Sequence, residues 1–192
     1  MKVRQYLTTA PTFHNRPIAT DKAANIACDT RVLEALERSM TNILAETGFC
    51  HLLRYRVTLP NDSSIESNKT FRKAQQEVVR YCMRRKLIPN YVAVKLDESN
   101  SQFDVAMFLD GRTDTKNDNA VLEKTEEIFK RKVELHGADA SQCSVQHVPI
   151  QETNILLYDK DDIDNAFHQG SKLAQTEYRP IGRTLFASPK KA

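Results

Sequence analysis

The sequence predicts an α+β fold: a ferredoxin-like split βαβ antiparallel sheet with helices on one face, plus an N-terminal arm and helix. Three observations predict it. Period-two alternation marks a first strand at 49–60, where Leu53, Tyr55, Val57 and Leu59 alternate with Arg54, Arg56 and Thr58. Two apolar runs, 91–94 and 105–109, flank a polar turn through Ser99 and Asn100, the pattern of paired strands. Helical periodicity fills the intervals: 68–87 puts Phe71, Ala74, Val78 and Cys82 on one face, and 119–136 does so with Val121, Leu122, Ile128, Phe129 and Val133. The order strand, helix, strand, strand, helix, strand belongs to the split βαβ arrangement.

The remaining elements follow in chain order. Residues 1–27 mix Pro11, Pro17 and several threonines with scattered apolar side chains, and read as an arm. Asp29 can cap a helix whose stripe is Val32, Leu33, Leu36, Met40, Ile43 and Leu44, and Gly48 can end it. Pro60 stops the first strand, and Pro89 follows the helix after it. Gly137 closes the third helix. Short strands are expected at 144–150 and 155–158, then a helix from Asp161 and Asp162 to about Gln175. The Pro-interrupted, basic end reads as an extended tail. The expected organisation is arm 1–27, α+β domain 28–178 and basic tail 179–192.

Composition bounds the function. With 192 residues, 40% hydrophobic and 28% charged, the chain suits one globular domain with an appendage. No apolar run approaches the roughly 18 residues of a membrane span, and no signal-peptide core is visible, so a cytoplasmic protein without a membrane partner is expected. The four cysteines form no CxxC pair, which argues against a zinc ribbon and for reduced thiols. A net charge of +3 does not by itself identify a nucleic-acid binder. Its clustering says more.

Cations gather at Arg54 and Arg56 on one strand face, at Lys69, Arg72, Lys73, Arg80, Arg84, Arg85 and Lys86 on the following helix, and at Arg179, Arg183, Lys190 and Lys191 in the tail. Such residues can neutralise phosphates. For Arg84, Arg85 and Lys86 the simpler reading is stabilisation of a helix C-terminus, about 0.3–1 kcal/mol each. In the arm, Tyr6, Leu7, Phe13 and Ile18 are either anchors for a protein partner or part of a disordered lead. No histidine pair has local metal-ligand spacing, and no nucleophilic triad or phosphate-cradling glycine loop is present. Asp104 with His147 across the sheet, or with Asp97 or Glu98 beside the turn, are the weak metal candidates. They stand against a plain solvated turn.

Four segments, taken in order, carry a resemblance: RYRVTLP (54–60), the helix start at Phe71, Arg72 and Lys73, the paired strands of 91–112, and GSKLAQTEYRPIGRTLFASP (170–189). Over roughly 29–189 the chain resembles inovirus-type, YagK/YfjJ-like replication-initiation proteins of the HUH rolling-circle group. That family implies two metal-binding histidines around one hydrophobic residue, where this chain has Gln102, Phe103 and Asp104. It also implies a tyrosine nucleophile and an accessory lysine, where Lys172 and Gln175 stand; Tyr178 lies six residues past Lys172. The resemblance therefore implies a kept scaffold and lost chemistry: no catalytic residue, metal or cofactor. The expected function is a catalytically degenerate replication-initiator-like protein of a mobile genetic element, binding DNA without nicking it through Arg54, Arg56, Arg72, Lys73, Arg80, Lys172, Arg179 and Arg183. The alternative is a protein-binding accessory or scaffold of a phage or phage satellite, engaging a viral or host protein through the arm. Either could be a homo-oligomer.

Overall fold

The computed structural model describes residues 6–96, 101–110, 115–150, 154–157, 159–175 and 185–187. Four two-residue strands come first: β1 (Leu7–Thr8), β2 (Thr12–Phe13), β3 (Arg16–Pro17) and β4 (Cys28–Asp29). The body then runs α1 (Thr30–Thr47), β5 (Phe49–Thr58), α2 (Ser67–Arg84), β6 (Asn90–Lys95), β7 (Gln102–Asp110) and α3 (Thr115–Glu134). It finishes with β8 (Ser144–His147), β9 (Asn154–Leu156), α4 (Lys160–Ser171), a 3-10 turn at Lys172–Ala174, and β10 (Leu185–Ala187).

The fold is α+β. Strands β8, β5, β7 and β6 lie side by side in that order, all antiparallel, which is the ferredoxin-like order for the two halves of a split βαβ repeat. Two strands extend the frame. β9 continues along β5 beyond β8, pairing Phe49 with Leu156, and β10 adds to the outer edge of β6, pairing Phe186 with Ala93.

The strands alternate strictly, so their two faces have different covers. Leu53, Tyr55 and Val57 of β5 and Phe103, Val105 and Met107 of β7 pack under α2 and α3. There Phe71 stacks on Phe103 with centroids 4.2 Å apart and meets Phe186 at 5.1 Å. Each such buried aromatic stabilises the fold by about 1.5–3 kcal/mol. Tyr55, fully buried, donates its hydroxyl to Gln75 Oε1 at 3.0 Å. The opposite face carries Cys50, Leu52, Val92, Val94, Ala106 and Phe108, and it is covered too. Helices α1 and α4 lie there, through Leu33, Leu36, Met40, Ala166 and Phe167.

The capping signals act as the sequence predicts. Asp29 accepts from the Arg31 amide at 3.0 Å, and Gly48, at φ 73°, donates to Leu44 O at 2.8 Å from the left-handed conformation. Asp159, rather than Asp161 or Asp162, caps α4, accepting from both of their amides. All four cysteines are buried thiols outside any disulfide, and burial pushes the Cys82 thiol up to about 12 and Cys143 to about 11.

Two expectations need correction. Within the basic tail, Leu185–Ala187 is a strand of the main sheet, and Phe186 is buried against the Phe71 cluster. Within the arm, described from residue 6, the chain is tied down: β1 pairs with β4, Ala19 N donates to Ser171 Oγ at 2.8 Å, and Gln175 Nε2 donates to Ala19 O at 2.7 Å. Arg16 reaches Asp164 at 3.2 Å and Glu37 at 3.5 Å.

Candidate nucleic-acid interface

Helix α2 concentrates the positive charge of the chain. Between Glu66 and Lys86 there are seven cations (Lys69, Arg72, Lys73 and Arg80 along the helix, then Arg84, Arg85 and Lys86) against two carboxylates, Glu66 and Glu77. The segment therefore carries +5, more than the +3 of the whole chain. Both carboxylates are engaged. Glu66 takes Lys69 at 3.2 Å, while Glu77 faces α3 and holds Arg131 and Lys132, the latter at 2.9 Å. Lys132, with Arg131, keeps the Glu77 carboxyl below its ordinary range. Arg72, Lys73 and Arg80 are exposed and make no ion pair among the described residues.

Beside this row, between α2 and β10, lies a cleft of about 580 Å³. Arg72, Gln76 and Arg80 edge it, and Val79, Met83 and Tyr91 line it together with β10. Met83 is 62% exposed at its rim. Arg72 lies over the Phe186 ring, 5.5 Å from its centroid. Burial raises the Tyr91 phenol above its ordinary range, and Arg72 pulls it partly back.

The other expected DNA contacts sit elsewhere. Arg54 and Arg56 share the sheet face that α1 and α4 cover, so Arg54 is not on an open strand face: it is 6% exposed. It donates to Gln169 O on α4 at 3.3 Å and stands 3.9 Å from Asp104. Burial pulls its guanidinium down and Asp104 opposes that pull. Arg56, its side chain 39% exposed, grips Asp104 with two bonds, Nε to Oδ1 at 2.7 Å and Nη2 to Oδ2 at 3.2 Å. Lys172 is exposed at the end of α4, on the same side as Arg54, and adds to the effect of burial in lowering the His168 imidazole. Arg179 and Arg183 lie outside the described residues. The structure thus brings together Arg72, Lys73 and Arg80, and separates them from Arg54, Arg56 and Lys172 by the thickness of the sheet.

Comparison with known proteins finds no matching family model and no matching curated sequence.

Asp104, at the position the resemblance assigns to a metal histidine, is committed to arginine. His147 pairs in register with Tyr55 and Asp104 with Arg56, so the two point to opposite faces and cannot share a metal. Asp97 and Glu98 lie outside the described residues. Among those described, no cluster of three or more His, Cys, Asp or Glu side chains could hold a metal ion.

The arm residues divide. Tyr6 is exposed beneath the Arg31 guanidinium, 4.8 Å from its ring centroid, and Leu7 and Phe13 are half-buried. Ile18 is 4% exposed in the core formed with α1 and α4, so it anchors the arm to its own domain rather than to a partner. Sequence reasoning missed Gln76, Val79 and Met83, whose spacing with Arg72 and Arg80 is visible in the chain but acquires meaning only once β10 forms the far wall. It also missed the buried pair His51 Nε2 and Asp118 Oδ2, 2.7 Å apart, which no local spacing announces.

Proposed function

We propose that the protein binds DNA without nicking it, as a catalytically degenerate replication-initiator-like protein of a mobile element, and that α2 is the surface meeting the phosphates. The observation that carries this reading is the charge balance of α2: five excess positive charges on one segment, with both local carboxylates already used. A helix face that serves only as a solvated surface normally interleaves both signs. One that meets a polyanion leaves its cations uncompensated, ready to displace counterions. Replacement of the metal-ligand position by an arginine-bound carboxylate supports binding without strand cleavage.

The test is fluorescence anisotropy of labelled DNA across a salt series with the triple variant Arg72→Glu, Lys73→Glu and Arg80→Glu. Wild type should lose affinity steeply with salt. The variant should bind weakly, its salt slope reduced by about 3 in log–log terms. Equal binding by wild type and variant would remove α2 from the interface.

A second reading, a protein-binding accessory, draws on Phe49 and Leu156. These cross-strand partners are 49% and 44% exposed, a small apolar pair at one end of the sheet. Under that reading Phe49→Asp would release a co-purifying protein while DNA affinity stayed unchanged.

A further inference from the structure

The cleft beside α2 is built for more than charge. Arg72, Gln76 and Arg80 recur every four residues, so they stand on one face of the helix and span about 12 Å at 1.5 Å per residue. Beside them Val79, Met83 and Phe186 give an apolar surface, and the volume of about 580 Å³ lies within the range of small organic ligand sites. A bare counterion site has no use for an apolar floor, and a purely hydrophobic groove has no use for two unneutralised arginines. Together these features fit a ligand with a flat apolar body, polar edges and a phosphate. The amide of Gln76, midway between the arginines, can both donate to and accept from a base edge. A planar ring can lie against Met83 and Val79, and arginine binds both phosphates and ring faces.

We propose that this cleft is a subsite for one nucleotide unit, a base with its phosphate, either free or within a polynucleotide. The choice of ligand class rests on the DNA-binding reading, which it deepens by adding a base contact to the phosphate contacts of α2.

The experiment titrates the full chain, by isothermal calorimetry and protein-observed NMR, with adenosine 5′-monophosphate, ribose 5-phosphate and a short single-stranded oligonucleotide. The monophosphate should perturb cleft residues and bind about tenfold more tightly than ribose 5-phosphate, the worth of one stacked base. Gln76→Ala and Met83→Glu, both at exposed positions on α2, should each remove most of that advantage while unfolding at the wild-type denaturant midpoint. Lys124→Glu, on α3, should change nothing. Equal affinity for the two phosphates, unaffected by Met83→Glu, would reduce the cleft to a phosphate site and overturn the proposal. So would an acidic peptide displacing the monophosphate at lower concentration. Oligonucleotide binding that survives both variants, with no monophosphate binding, would sink the subsite and leave the DNA reading standing. Monophosphate binding in the cleft without oligonucleotide retention would do the reverse.

Discussion

Arg56 and Asp104 stand directly opposite each other on neighbouring strands, and the guanidinium closes on the carboxylate through two hydrogen bonds of 2.7 and 3.2 Å. The same carboxylate stands 3.9 Å from Arg54, whose side chain is buried beneath α4. One acid therefore balances two cations. Asp104→Ala should cost about 2–3 kcal/mol, somewhat below the loss from a fully buried pair because Arg56 keeps a wet edge. Urea denaturation measures it. A midpoint within error of wild type would mean the arginines are held by something else. By the same logic, Arg54→Glu should damage folding before it touches DNA binding.

Strand β10 is structural. Phe186 fills the space beside Phe71 and Phe103, at 5.1 and 5.9 Å between centroids. Phe186→Ala should destabilise by about 3 kcal/mol, in the range for large buried aromatics. If instead the unfolding free energy barely changed, β10 would be a loosely attached edge.

The arm behaves as part of the body. Ile18 is buried among α1 and α4, and the neighbouring Ala19 exchanges hydrogen bonds with Ser171 and Gln175. Ile18→Ala should cost about 2–4 kcal/mol. Proteolysis of the variant should then cut first near residue 20, whereas wild type resists there. Equal protease resistance would show that the contacts of residues 16–19 contribute little.

Alkaline pH should weaken the fold through its thiols. The folded Cys82 thiol titrates at about 12 against 9.0 when unfolded, because burial disfavours the thiolate. Above pH 9 the unfolded chain gives up this proton while the native state keeps it, so the unfolded state binds fewer protons and stability falls as pH rises. The contribution is intact below pH 9 and erodes toward 12. Cys82→Ala removes this slope, about 1.4 kcal/mol per pH unit. Denaturation midpoints at pH 8 and 10.5 should therefore converge more closely in the variant than in wild type. Identical pH dependence in both proteins would refute the assignment.

Much of the frame was legible because local chemistry and global fold agree. Asp29 and Gly48 bracket α1 in the sequence as they do in space, and the alternation from Leu53 to Leu59 fixes which side chains of β5 enter the Phe71 core. The same alternation could not say what covers the other side. A helical stripe such as Val32, Leu36 and Met40 shows that a helix has one apolar face, but not which sheet face receives it. For that reason Arg54, polar in pattern, reads as exposed and is found buried. β10 escaped notice for a different cause: three residues are too few for periodicity to register, and their strand character comes from hydrogen bonding to β6. The cleft followed β10 into obscurity, since its two walls lie about a hundred residues apart in the chain.

That separation also orders events in time. Phe186 pairs across to Ala93, so the edge of β6 and the Phe71–Phe103 stack stay unsealed while everything between is being synthesised. Contacts between distant segments close last, after the loop entropy that opposes them has been overcome. The nascent chain must carry an open strand edge and an uncapped aromatic cluster until residues 185–187 arrive, a window in which a chaperone, or another copy's strand, would compete for the place β10 comes to hold.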